Sequence, residues 1–216
     1  MTGKGQIQET LNIPHLFTLP SGRDGEGAFA MLILSSNSPR RKELLEGLGI
    51  PFKVLVIQGI DESYPDTLPA CEIAEYISVK KAEPYRGSLV GTDNIVLTAD
   101  TVVVLGNDIM GKPADEQDAY RMLRELSGHT HQVYTGVCLT TATAQRHFSV
   151  RTDVTFKSLS DEEIWHYIRR YHPLDKAGAY GIQEWIGYIG ITGISGSYYN
   201  VMGLPVQRIY EELKQM

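Results

Sequence analysis

Hydrophobic positions along this chain fall into short continuous runs separated by stretches of helical period. That is the pattern of strands covered on both faces alternating with amphipathic helices. The run MLILS at 31–35 predicts a buried strand. It leads into SNSPRRKELLEGLGI, where Ser38 suits an N-cap and Pro39 the first helical position. Leu44, Leu45 and Leu48 share one face there, and Gly49 ends the helix. FKVLVI at 52–57 predicts a second strand, followed by the acidic turn GIDESYP. Residues 70–86 read as a helix with Ile73, Ala74 and Ile77 inward and Lys80 and Lys81 near its end. The strongest strand signal is NIVLTADTVVVLGN at 94–107, closed by the turn pair Gly106-Asn107. A helix follows over 115–126, stopped by Ser127-Gly128, and then two β-rich stretches, 131–143 and 147–157, form a hairpin pattern. Ser160 and Glu163 make a capping box for a helix running to about 170. A Gly- and Tyr-rich segment spans 178–203, and a last helix is expected over 204–215. No internal repeat or low-complexity tract interrupts this α/β alternation.

Length and composition narrow the picture. A chain of 216 residues, 42% hydrophobic, can bury one core in a single compact or two-lobed unit. Residues 1 to about 29 differ from the rest, with GKGQ, LPSGRDGEG and little periodicity, and are expected to form a poorly ordered leader before the unit at 31–216. The net charge of −6 argues against a long nucleic acid as partner, while leaving room for a small anion held by a local cluster of cations. Cys71 and Cys138 stand far apart in no metal-ligand spacing, as in a reduced thiol pair. No apolar run approaches the roughly 20 residues that cross a bilayer. The first thirty residues hold no signal-peptide core, so the expectation is a cytoplasmic protein without a membrane partner.

Polar clusters that break good core elements are where chemistry is to be sought. The segment Ser36–Arg41 lies at a strand-to-helix junction, where unpaired N–H groups receive phosphate, with Ser36, Ser38 and Arg41 as candidate contacts. A capped helix with two solvated arginines is the plain alternative. Asp100-Thr101 sits inside the most apolar strand, where an ionised carboxylate needs a pairing cation, a metal or the mouth of a cleft; a structural ion pair is the alternative. Asp61-Glu62, in the acidic turn, joins Asp100 as a candidate set for Mg²⁺, which takes few protein oxygens and keeps water and phosphate as its other ligands. Lys81, Lys112 in GKP and Lys176 in DKAGAYGIQ are candidate phosphate cations, each of which read alone is a surface lysine. P-loop and dinucleotide glycine motifs are missing from the sequence, and SGS at 195–197 is no nucleophile elbow. The histidines have no zinc spacing: His129 and His131 alternate on an expected strand, and His166 and His172 are isolated.

Taken in order, SNSPRRKELL, TADTVV, GKP, MLRELSGHTHQVYTGV, LDKAGAYGIQ and YYNVMGLP resemble the Maf family of nucleotide pyrophosphatases over residues 31 to about 214. The resemblance implies an inosine-triphosphatase-like α/β fold, an elongated mixed sheet with two lobes flanking a nucleotide cleft. It also implies hydrolysis of nucleoside triphosphates to the monophosphate and pyrophosphate with a divalent cation (Mg²⁺, or Mn²⁺ or Co²⁺), and a homodimer. Asp100 stands at the position of the family's catalytic carboxylate and Asp61 at its second acidic position. Arg40, Thr101 and Gln183 stand where the base is chosen, and Gln183 resembles the dTTP/UTP branch rather than the 7-methyl-GTP branch. A primary amide, both donor and acceptor, suits the O4/N3–H edge of uracil or thymine. The sequence departs from the family at Val79, two positions before Lys81, where a second basic residue is usual; Lys80 is the candidate substitute, though its helical direction differs from that position by about 100°.

The resulting expectation is that Asp100, with Asp61 or Glu62, holds the cation and orients a water toward the α phosphorus. Arg41, Lys81 and Lys112 offset charge on the phosphates. Two other readings stand beside it: a purine-type, inosine-triphosphate house-cleaning pyrophosphatase, and a non-catalytic nucleotide-binding regulator of septum formation.

Overall fold

The computed structural model of the chain describes residues 31–216, so the leader expected over 1–29 lies outside the described residues. In chain order the elements are β1 (Leu32–Ser35), α1 (Pro39–Glu46), β2 (Phe52–Val54), α2 (Ala70–Ala82), a 3₁₀ turn (Glu83–Tyr85) and α3 (Arg86–Leu89). Next come β3 (Ile95–Leu105), β4 (Asp108–Met110), α4 (Glu116–Leu126), β5 (Thr130–Thr140), β6 (Gln145–Phe156) and α5 (Asp161–Tyr171). Two 3₁₀ turns (Pro173–Asp175 and Ala177–Ala179) lead to α6 (Trp185–Gly190), β7 (Ile191–Ser195), α7 (Tyr198–Met202) and α8 (Val206–Leu213).

The strands make one seven-stranded mixed sheet among the described residues, in the order β2-β1-β3-β5-β6-β7, with β4 also on β3. β1 is parallel to β2 and β3, and the remaining pairs are antiparallel. β3 is the spine. Its apolar run is continuous because both faces are covered, and alternation assigns its side chains to one face or the other. Ile95, Leu97, Ala99 and Val103 join the large core with Leu34, Leu123 and Ile209. Val102 and Val104 pack under α2 with Ile73, Ala74 and Ile77. Consecutive residues Asp100 and Thr101 therefore belong to opposite faces of the sheet.

The expected elements are present, with differences that have local causes. β2 is three residues long rather than six, because β1 ends at Ser35 and leaves residues beyond Leu55 nothing to pair with. A last bond from the Leu55 amide to the Leu34 carbonyl closes the ladder, and Leu55 and Ile57 are exposed. α2 ends at Ala82 because Pro84 has no amide to continue the helix. The turn at Gly106, where φ is +60°, returns the chain as β4, a strand too short to show in the periodicity. β7, ITGIS with a central glycine, was equally hidden inside the Gly- and Tyr-rich segment. The last helix is confined to 206–213. No helix among the described residues is long and apolar enough to cross a membrane.

Candidate active site

The sheet has a gap, and the gap is the site. β1 pairs with β3 from Ile95 to Thr98, and β4 pairs along the same edge from Val103 to Leu105. Residues 99–102 of β3 thus have β5 on one side and no strand on the other. A cleft of about 760 Å³ opens there, between the β1–α1 junction, the 56–64 loop, α2, the Gly111-Lys112 loop and the 175–183 segment.

On one face, Asp100 lies opposite Gly136 in the β3–β5 ladder. A β-carbon at Gly136 would sit 2.2 Å from the backbone of Ala74, so the missing side chain lets α2 lie directly on β5. That approach sets Lys81, two helical turns further on, over Asp100. The Lys81 Nζ is 2.7 Å from the Asp100 Oδ1 and 3.1 Å from the Glu62 Oε1. Lys81 and Asp100 are largely shielded, with side chains 15% and 14% exposed, so the pair is far less screened than a surface ion pair.

The residues suit a divalent cation. The Lys81 ammonium marks a point where one positive charge satisfies both carboxylates. Among the described residues no three His, Cys, Asp or Glu side chains gather to hold a metal unaided. Two carboxylates with phosphate oxygens are the donor set that Mg²⁺ accepts. Asp61 is placed elsewhere: its carboxylate accepts from Lys80 at 2.7 Å and from the amide and hydroxyl of Ser63. Those bonds, Lys80 first, hold its carboxyl well below the usual range. Lys80 is thereby occupied outside the cleft and does not stand in for the base absent at Val79.

On the other face, Arg41 turns inward and fills the gap. Its Nε donates to the Gly203 carbonyl at 2.8 Å, its Nη1 to the Ala99 carbonyl at 2.8 Å and its Nη2 to the Thr101 hydroxyl at 3.0 Å. The bond to Ala99 supplies the donor that a neighbouring strand would have given. Thr101 and Thr135 hydroxyls are 3.0 Å apart, and Thr135 donates to the Asn200 carbonyl at 2.9 Å, so the line runs from α1 through β3 and β5 to α7. Burial lowers the Arg41 pKa from its ordinary value, and the nearby Asp100 charge works against that shift.

The rim is built by the remaining candidates. Ser38 caps α1 by accepting from the Arg41 amide, and Ser36 accepts from the Ser38 amide, which leaves the junction as a fixed polar loop in the cleft wall. Lys112 is exposed on the wall and forms no ion pair among the described residues. Its loop is fastened by the Gly178 amide, which donates to the Gly111 carbonyl at 3.0 Å. Gly178 has φ +67° and its absent β-carbon would fall 3.0 Å from Val103, so a glycine is required for this approach. Arg40 points away from Arg41 and pairs with Asp175 at 2.9 Å. Lys176 is buried and contacts Asp175 at 2.7 Å and Glu184 at 3.2 Å. Gln183 lines the cleft, and its buried Oε1 has no hydrogen-bond partner among the described residues.

Of the sequence candidates, the fold therefore gathers Ser36, Ser38, Arg40, Arg41, Glu62, Lys81, Asp100, Thr101, Lys112, Lys176 and Gln183 around one cleft and leaves Asp61 outside it. Sequence reasoning passed over Asp175, Glu184 and Gly136. The first two carried a usable signal, since each carboxylate adjoins a candidate in DKAGAYGIQE. Gly136 carried none, because its partner, Ala74, is 62 positions away.

A family profile described as Maf-like protein matches residues 31–216. A protein of Phocaeicola vulgatus named dTTP/UTP pyrophosphatase is 63% identical over 185 residues, covering 86% of this chain and 95% of its own. Proteins of the same name from Bacteroides thetaiotaomicron and Porphyromonas gingivalis are 55% and 53% identical over 185 and 184 residues. They cover 86% and 85% of this chain, and 95% and 92% of their own.

Proposed function

The chain belongs to the Maf family, and on that premise we propose that it hydrolyses dTTP and UTP to the nucleoside monophosphate and pyrophosphate. The observation that carries the reading is the Glu62–Lys81–Asp100 cluster at the floor of a cleft whose walls bear Arg40, Lys112 and Gln183. A chain of net charge −6 has here collected cations around two carboxylates, an arrangement suited to a polyanion that arrives with its counter-cation.

Asp100 accepts a proton from, or orients, the water that attacks the α phosphorus. Its position in a rigid central strand keeps that geometry fixed. Lys81 moves from the carboxylates to the phosphates when substrate enters. Lys112, which has no ion-pair partner among the described residues, meets the outer phosphates and offsets the charge leaving with pyrophosphate. Asp100 and Glu62 are the residues that would hold the divalent cation, which when bound supplies charge neutralisation and an acidified water. The Gln183 amide, whose Oε1 is buried without a partner among the described residues, turns toward the cleft to accept from the N3–H of uracil or thymine and to donate to O4, with Arg40 on the same cleft wall. A homodimeric state belongs to the same proposal and rests on the family resemblance, while cytoplasmic location rests on the sequence expectation alone.

Asp100→Asn tests it. The variant keeps shape and loses charge, so turnover of dTTP is expected to fall by roughly 10²–10⁴-fold with thermal stability retained. Near wild-type turnover in the folded variant removes Asp100 from the chemistry. Water labelled with ¹⁸O reads the site of attack: the label is expected in the nucleoside monophosphate, and label in pyrophosphate places the attack on the β phosphorus.

A further inference from the structure

Lys176 has the surroundings of a structural cation rather than those of a phosphate ligand. It is 8% exposed, and an ammonium so buried is tolerated only with compensating charge. Asp175 and Glu184 provide it. Each of these carboxylates spends its other oxygen elsewhere. The Asp175 Oδ2 accepts from the Arg40 Nη1 at 2.9 Å, and the Glu184 Oε2 accepts from the Tyr167 hydroxyl. The Tyr167 oxygen in turn accepts from the Gly181 amide at 2.9 Å. Two cations and two carboxylates thus form a neutral chain with one end on Arg40 and the other on the backbone of the turn that carries Gln183. The Glu184 amide donates to the Gly181 carbonyl at 3.0 Å, closing that turn.

We propose that Lys176, through Asp175 and Glu184, is a positioning residue for base selection, holding Arg40 and the Gly181–Gln183 turn at a fixed separation across the mouth of the cleft. This rests on the reading of Arg40 and Gln183 as base contacts. The chain suits the task because it touches both: its links are charged, and those at the Lys176–Glu184–Tyr167 end are shielded from water, where such bonds resist stretching more than solvated ones. Burial pushes the Tyr167 phenol up, and the bond to Glu184 adds to the shift, so Tyr167 stays a donor at every working pH. At Asp175 burial acts upward, and the Lys176 and Arg40 cations outweigh it, so its carboxyl stays ionised below the usual range.

The test compares dTTP with GTP, each as kcat and KM, in the full chain carrying Lys176→Met, Lys176→Arg, Glu184→Gln or Asp175→Asn. A positioning role predicts at least a tenfold loss of the dTTP-over-GTP ratio of kcat/KM in Lys176→Met and Glu184→Gln. Most of the loss should lie in KM for dTTP, with partial recovery in Lys176→Arg. Asp175→Asn, at the more exposed end, should lose the ratio in the same direction and carries the test if Lys176→Met does not fold. A direct phosphate contact by Lys176 predicts instead an equal loss for both nucleotides with Glu184→Gln unaffected. That result, or a lowered melting temperature with an unchanged ratio, overturns the proposal. Absence of dTTP preference in the unsubstituted protein is the separate failure of the base reading itself.

Discussion

Replacing Gly136 with alanine adds one methyl group on β5, and that group is expected to disable the enzyme from the far side of a helix. The β-carbon would lie 2.2 Å from the carbonyl group of Ala74 and the amide nitrogen of Glu75, where ordinary contact begins at 3.4 Å. The obstruction is backbone, so no rotamer relieves it, and α2 must retreat by about 3.4 − 2.2 = 1.2 Å. Lys81 lies seven residues along that helix, about 10 Å away, and moves with it as a rigid body. The retreat shifts the backbone from which the Lys81 ammonium reaches Asp100 and the phosphates, and so lengthens its 2.7 Å contact with Asp100. Misplacing a catalytic group by about 1 Å costs on the order of 10²-fold in rate. The overpacking itself costs about 1–3 kcal/mol, which in a chain of this size lowers the melting temperature by roughly 2–12 °C and leaves the protein folded at 25 °C. Steady-state release of pyrophosphate from dTTP, measured beside a thermal melt, separates the two effects. Gly87→Ala is the control: the same change is made where nothing lies within 4 Å, and activity should be unaltered. A Gly136→Ala protein that melts within 1–2 °C of wild type and turns over dTTP within about threefold of it would refute the placement of α2 and, with it, the positioning of Lys81.

Two further outcomes follow from the same geometry. Arg41→Lys should be destabilising rather than selectively inactivating, because a single ammonium cannot reach the Gly203 carbonyl, the Ala99 carbonyl and the Thr101 hydroxyl together. Leaving one or two of these unsatisfied costs about 2–4 kcal/mol, or roughly 4–16 °C in the melting temperature, and an unchanged melt would count against the brace. His131 is buried and held neutral, with its pKa pushed down to about 4 by desolvation. The unfolded chain therefore binds a proton that the folded one refuses between about pH 6.5 and 4. The stabilisation is complete above 6.5 and is lost as pH falls through that window, by about 3 kcal/mol at 1.36 kcal/mol per unit. Chemical denaturation at pH 7 and pH 4 should show this loss in wild type and a smaller one in His131→Gln; equal losses would place the acid sensitivity elsewhere.

The parts of this structure that were legible in the sequence are those governed by neighbours in the chain. The both-face burial of β3 is legible because a continuous apolar run has few other uses, and Asp100 stands out for the same reason. The Ser38 cap and the Ser160–Glu163 box lie within one helical turn each. What was not legible depends on side-chain direction and on distant partners. Arg40 and Arg41 read alike as letters, but about 100° of helical rotation sends one to the rim and the other into the sheet gap. Asp61 and Glu62 are equally acidic, and only the fold of their loop turns the second toward Lys81 and the first toward Lys80. Lys176 reads as a candidate phosphate cation, or alone as a surface lysine, beside a glycine-rich turn. Its burial depends on Glu184, eight positions later, and on the left-handed glycine between them.

Pyrophosphate release from dTTP, UTP, CTP, GTP, ITP and 7-methyl-GTP, each with Mg²⁺ and again with chelator, is the most direct test of the central claim. Turnover is expected to require the metal and to favour dTTP and UTP over the other four. Turnover confined to the purine nucleotides, or none from folded protein with metal present, would contradict it.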